Sequence, residues 1–319
     1  MPSAHAAPGS AAPAVADPGA TTAADARRGV LAYLGLVVVL SGAVEATMVV
    51  TRQYALVMLL MWMPAVASIL VRVLRREGFA DVSFRFGGRR TWIVILLGLL
   101  LPFVVGLVAY GLAWSLGLAS FAPPETLPLL GAVGEFAPVA RFVLLAAAVL
   151  VAHLPLALVL ATGEEIGWRG YLVLRLLDAR VPHAVLVSGV IWALWHLPLI
   201  VAGLYAAGPS PLLSAVVFLV MVPAFTFPIS WARLATGSIW PAAVLHGAWN
   251  TIIQAAFDPS TQGPSHLVWT GESGLLTAAT MVVLAALLSR RHWPVLRTPS
   301  QTTPTMPPRL PTSEARRSS

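Results

Sequence analysis

The chain has 319 residues, 58% of them hydrophobic and only 10% charged, with a mean hydropathy of +0.81 and a formal charge of +7. A soluble domain carries about a quarter charged residues, so this composition excludes a water-surrounded fold, and with it a disordered or fibrous chain. The absence of cysteine excludes thiol nucleophiles, Cys-ligated zinc and disulfides.

Residues 1–28 are Ala, Pro, Gly, Ser and Thr with no apolar core, and they read as a disordered tail, not a cleaved signal peptide. Eight stretches then follow that are apolar over roughly 20 residues, enough to cross a bilayer as helices. They fall at about 29–50, 53–73, 91–115, 142–163, 184–203, 211–232, 239–257 and 273–289. Between the second and third, residues 74–90 alternate bulky apolar side chains with charge. They read equally as a helix lying on the membrane surface or as a short basic loop. Residues 290–319 are rich in Pro, Ser, Thr and Arg and read as a second disordered tail. The predicted fold is an all-α, polytopic membrane bundle of about eight helices, one domain at 29–289, with no internal repeat and no soluble domain.

All 20 basic residues are Arg. With the N-terminus in the cytoplasm, Arg52 and Arg141 alone fall on the outer side and the other eighteen on the inner side, as the positive-inside rule requires. The charge is therefore a topology signal, with both termini cytoplasmic, and not a nucleic-acid footprint. The C-terminal tail, with six Arg against one Glu, can also touch anionic lipid.

An ionisable side chain inside a bilayer costs on the order of 2.5–3.5 kcal/mol, so such residues are the leads to function: Glu45, His153, Glu164, Glu165, Arg169, His196, His246 and Asn250. Glu165 and Arg169 are four apart, the spacing at which acid and base meet on one helix face. Glu164, about one hundred degrees round, is left to face another neighbour. The alternative reading of this run is a charged boundary where the fourth span meets the cytoplasm. His196 lies mid-span with Trp192 one turn earlier. His246 and Asn250 are again four apart, and Asn250 is the only asparagine in the chain. Glu45 and His153 read as structural, Glu45 as a shielded hydrogen-bond donor and His153 as a partner for a carbonyl freed by Pro155.

One Glu, two His and one Asn from three helices supply the parts for amide hydrolysis. A carboxylate in a dry site is a stronger base, so Glu164 with His196 can activate water, and His246 with Asn250 can hold the oxyanion. Glu164, His196 and His246 could equally hold a zinc ion with an open fourth position. HExxH and GxGD are both absent, and metal-bound and metal-free water stay undecided. A GxSG-like string, Gly271 to Gly274, places Ser273 far from the only later histidine, His292, and reads as chance.

Glu164-Glu165-xxx-Arg169, Trp192-xxx-His196 and His246-xxx-Asn250 together resemble the CPBP family, the type II CAAX prenyl endopeptidases and bacteriocin-processing Abi proteins. The resemblance covers roughly 142–257 and departs only in Trp192, where Phe is common. It implies an eight-helix intramembrane endopeptidase with a cavity open to the cytoplasm. In that reading Glu164 and His196 activate water, His246 and Asn250 hold the oxyanion, and Glu165 and Arg169 complete the first motif. A metal stays open from this side too. The implied partners are the bilayer and a membrane-anchored peptide or protein, of CAAX or bacteriocin type, with the oligomeric state unspecified. The competing class is a non-catalytic immunity or scaffold protein, or a transporter using Glu and His as a proton relay.

Overall fold

The structure, a computed structural model, describes residues 22–290. The first helix, α1, spans Ala23–Thr51 and begins earlier than the predicted tail allows. Thr22 caps it, its hydroxyl accepting the Asp25 N–H at 3.1 Å, and Ala and Arg extend the helix ahead of the apolar run. The predicted tails otherwise lie outside the described residues, as does His292.

The chain returns through a short 3₁₀ turn, Tyr54–Leu56, then α2 (Val57–Leu60) and α3 (Met63–Arg75). Next come α4 (Arg89–Ser115) and α5 (Pro138–Ala152), followed by α6 (Leu154–Gly167), which runs through a π-helical turn at Trp168–Leu172 into α7 (Val173–Asp178). After α8 (Ala184–Val201) and α9 (Pro211–Thr236), α10 (Trp240–Trp249) passes directly into a second π-helix, Asn250–Phe257. A short α11 (His266–Trp269) and α12 (Leu275–Ser289) complete the described chain. The two small ladders, Ser120–Phe121 with Thr261–Gln262 and Thr126–Leu127 with Gly131–Ala132, both lie in loops at one end of the bundle.

The architecture is an all-α membrane bundle. Five helical segments are long and apolar enough to cross a membrane, six when α5 with α6–α7, bent by 57°, counts as one. The last two predicted spans are helical but shorter, since α10 gives way to a π-helix and α12 has 15 residues. The fourth span does not stop at residue 163 as expected. Its helix continues to Asp178, and Glu164, Glu165 and Arg169 are buried within that rod, not set out on a charged surface.

Small residues let these rods meet. A Cβ on Gly167 would lie 2.5 Å from the Pro64 ring, and one on Gly189 would lie 2.7 Å from the Pro223 backbone, so α6 sits directly on α3 and α8 on α9. Residues 76–88 form a loop and not a surface helix, because their polar groups are drawn inward. Arg72, fully buried, donates to the Gly78 and Gly170 carbonyls at 2.8 and 2.7 Å and pairs with Asp81 at 2.5 Å. Arg175 pairs with Glu77, Asp81 and Asp178 at 3.1, 2.9 and 3.1 Å. Phe86 stacks between Trp92 and Trp240, and the Trp240 indole donates to the Phe84 carbonyl at 2.8 Å.

Candidate active site

The three motifs converge because α6 packs against α10, and α8 against α9 beside them. Glu165, with no exposed surface, accepts from Arg169 Nη1 and from His246 Nδ1, both at 2.9 Å and both through Oε1. The i,i+4 pair is therefore a triad joining two helices. Arg169 is held further by Thr226 of α9, at 3.4 Å, and lies over the Trp192 ring, 4.0 Å from its centroid. An unpaired charge at this depth would be very costly, which explains why the guanidinium is enclosed by a carboxylate, a hydroxyl and an aromatic face.

Glu164 turns away from Arg169, and the Trp168 and Trp192 indoles both donate to its Oε2, at 3.3 and 2.8 Å. Trp168 lies four residues on, at helical spacing; Trp192 comes from α8. His196 Nδ1 bonds the Trp192 carbonyl at 2.8 Å, so its other nitrogen is left for chemistry. Its ring stacks with Tyr205 at 5.4 Å between centroids. The Gln254 amide donates to Asn250 Oδ1 at 3.4 Å, which leaves the Asn250 NH₂ group available as a donor. Gln254 is brought to Asn250 by the second π-helix, and the first π-helix carries Arg169. Such segments are frequent at functional sites.

His196, His246, Asn250 and Trp192 line a cavity of about 20 Å³, together with Phe218, Trp249, Tyr205 and Glu272. That volume suits a single water. It adjoins a larger cavity of about 280 Å³, with Tyr205 and Glu272 common to both walls.

Residues 140–252 match the family described as Type II CAAX prenyl endopeptidase Rce1-like. The chain carries a CPBP-family core. The family is one of intramembrane CAAX-type endopeptidases, which makes the chain, in general terms, a membrane protease. The bacteriocin-type branch receives no such support. No curated protein matches the sequence.

The zinc set suggested by the sequence does not assemble. Among the described residues no three His, Asp or Glu side chains are grouped as metal ligands. Within the CPBP core Glu165 engages His246 Nδ1, while Glu164 is turned onto two indoles. The Trp192 indole also packs against both imidazoles, 5.8 Å from His196 and 5.2 Å from His246. Glu164, His196 and His246 thus do not gather as a zinc ligand set in this structure.

Two structural expectations also change. His153 does not satisfy a backbone carbonyl; its Nδ1 meets the Thr251 hydroxyl at 3.3 Å, across the bend between α5 and α6. Glu45 is buried, and its Oε1 has no hydrogen-bond partner among the described residues, so it does not act as the expected donor there. Glu272, Tyr205 and Gln254 join the site without having stood out in the sequence. Glu272 lies inside the GxSG-like string, beside Ser273, and one signal marks it: a lone acid at the end of an apolar span.

Proposed function

We propose that the chain hydrolyses a peptide bond in a membrane-anchored peptide or protein, using metal-free water. Glu164 Oε1, the oxygen not engaged by the indoles, takes a proton from that water with help from His196. The water oxygen attacks the scissile carbonyl carbon, and the C=O electron pair moves onto oxygen. Asn250 and the Nε2–H of protonated His246 stabilise this oxyanion. Collapse of the adduct breaks the C–N bond, and the proton held at Glu164 passes to the leaving amine. Glu165 and Arg169 fix the orientation of His246. The protease domain is 29–289, with its motif core at 142–257, and the Arg-rich end and both termini face the cytoplasm.

The observation that carries this reading is the water-sized cavity at which two imidazoles and a carboxamide from two separate helices meet. The test uses purified full-length protein in detergent and a library of membrane-anchored peptides. Cleavage by the parent should be lost in both Glu164→Ala and His246→Ala, and cleavage that survives both overturns the assignment. Glu164→Gln separates the competing class, because a scaffold keeps its phenotype when shape is preserved and the base removed.

A further inference from the structure

One buried carboxylate has no part in the chemistry above. Glu272 lies in the turn just before α12 and is 7% exposed. Burying a carboxylate is costly unless hydrogen bonds answer its charge, and here each oxygen is answered once. The Trp249 indole donates to Oε1 at 2.7 Å, and the Tyr205 hydroxyl donates to Oε2. Glu272 thus joins three parts of the chain: the approach to α12, the end of α10 and the segment after α8.

The two donors are held unequally. Trp249 belongs to α10, is fully buried and packs against Phe225 of α9 with 4.6 Å between ring centroids, so it is a fixed anchor. Tyr205 lies in a run of turns and bends, 202–206, with no helix to set its side chain. Its place depends on what its hydroxyl and its ring touch. The hydroxyl is tied to Glu272, and the ring lies at 26° to the His196 imidazole, 5.4 Å between centroids. Among the described residues the His196 ring has one hydrogen bond, from Nδ1 to the Trp192 carbonyl. A single such bond leaves a ring free to tilt about it, and a flat partner against its face removes that freedom. Trp192, Trp195 and Phe218 meet the imidazole at 63°, 84° and 57°, so among the described residues Tyr205 is the partner that lies flat against it.

We propose that Glu272 is a positioning residue for the hydrolytic reaction. Anchored by Trp249, it holds the Tyr205 ring flat on His196 and so sets the direction in which Nε2 points. This rests on the hydrolytic reading above. It gives His196 a carboxylate-backed brace from outside the three motifs, as Glu165 gives one to His246 from within them.

The test compares full-length Tyr205→Phe, Glu272→Leu, their double variant and Glu272→Gln with the parent, each purified in detergent and assayed on a membrane-anchored peptide that the parent cleaves. Tyr205→Phe keeps the ring and loses the tether, and it carries the test should Glu272→Leu misfold. Glu272→Leu keeps the bulk and loses both acceptors. Each should lower kcat by about 10- to 100-fold with KM near the parent value, and the double variant should be no slower than Glu272→Leu. Glu272→Gln, which keeps hydrogen-bonding atoms at the same reach, should recover most of the parent's kcat. A parent-like kcat in Tyr205→Phe overturns the proposal, as do losses that multiply in the double variant or a Glu272→Gln protein as slow as Glu272→Leu. A second readout needs no substrate: ¹⁵N spectra of histidine-labelled protein, in which the His196 signals are those missing from His196→Ala. The parent should show one Nδ1–H tautomer, and Tyr205→Phe should draw the Nδ1 and Nε2 shifts together; unchanged shifts overturn the brace. If the shifts respond but the parent cleaves no peptide, the hydrolytic reading fails while the link from Glu272 through Tyr205 to His196 stands.

Discussion

Two clusters of buried charge lie less than a helix length apart, and they are satisfied to different degrees. At the Arg-rich end, Arg72 has partners for Nε, Nη1 and Nη2: Ser68, Gly78 with Asp81, and Gly170. In the motif cluster, Glu165 Oε2 and Arg169 Nε have no partner among the described residues, although both side chains are fully enclosed. The saturated guanidinium of Arg72 pins the 76–88 loop, although Arg233 beside it leaves Nε and Nη1 without partners among the described residues. The motif cluster differs in its place: beside a cavity, it holds its groups in orientation and leaves them able to act.

Substitutions should separate these two roles, and Glu165 is where they overlap. Glu165→Ala strands a buried guanidinium and frees His246 at once, so it should lower unfolding stability by about 3–5 kcal/mol and abolish cleavage. A stable Glu165→Ala protein in denaturant titration would show that the triad does not hold α6 to α10. Asn250→Ala removes one oxyanion donor and should reduce kcat by about 10²–10³-fold, with KM and the thermal midpoint nearly constant; a change in KM alone would assign Asn250 to substrate binding instead. Arg72→Ala should do the reverse, costing about 1–3 kcal/mol of stability through stranded partners while the kcat of the folded protein stays at the parent value.

The smallest expected effect is one of pH, at the Arg-rich end. Burial works against ionisation of Glu77, but hydrogen bonds from Arg75 and the charge of Arg175 outweigh it and hold the carboxyl below the usual glutamate range. The folded state binds this proton less readily than the unfolded chain. The contribution is therefore fully present above the ordinary glutamate value and is lost as pH falls through the lower, folded value. The thermal midpoint should decline over that acidic window, and Glu77→Gln should flatten the decline. An unchanged slope in Glu77→Gln would locate the acid sensitivity elsewhere.

Much of the site is legible in the sequence because it is local. The Glu165–Arg169 spacing needs only helix geometry, as does the Trp168 indole one turn beyond Glu164. What is not legible depends on which rods touch. Spacing alone makes His246 and Asn250 one donor pair, and no periodicity can say that His246 turns Nδ1 onto Glu165, eighty-one positions earlier. Glu272 does not stand out because, in the one-dimensional chain, it sits in a GxSG-like string outside the three motifs. The bend at His153 brings it onto Thr251 of a π-helix, and the pattern of apolar residues does not mark where a helix widens.

The sequence by itself determined that this chain lives in a bilayer, which end carries the positive charge, and which few polar residues lie in the apolar runs. Those properties follow from composition and from the helical repeat, and neither requires a neighbour. Tertiary structure alone decided that one carboxylate braces an imidazole while its neighbour meets two indoles, that no metal set forms among the described residues, and that two imidazoles and a carboxamide share one water-sized cavity. The reason is close packing: glycines such as Gly167 and Gly189 bring whole helices into contact, and side chains distant in the chain become partners only once that contact is made.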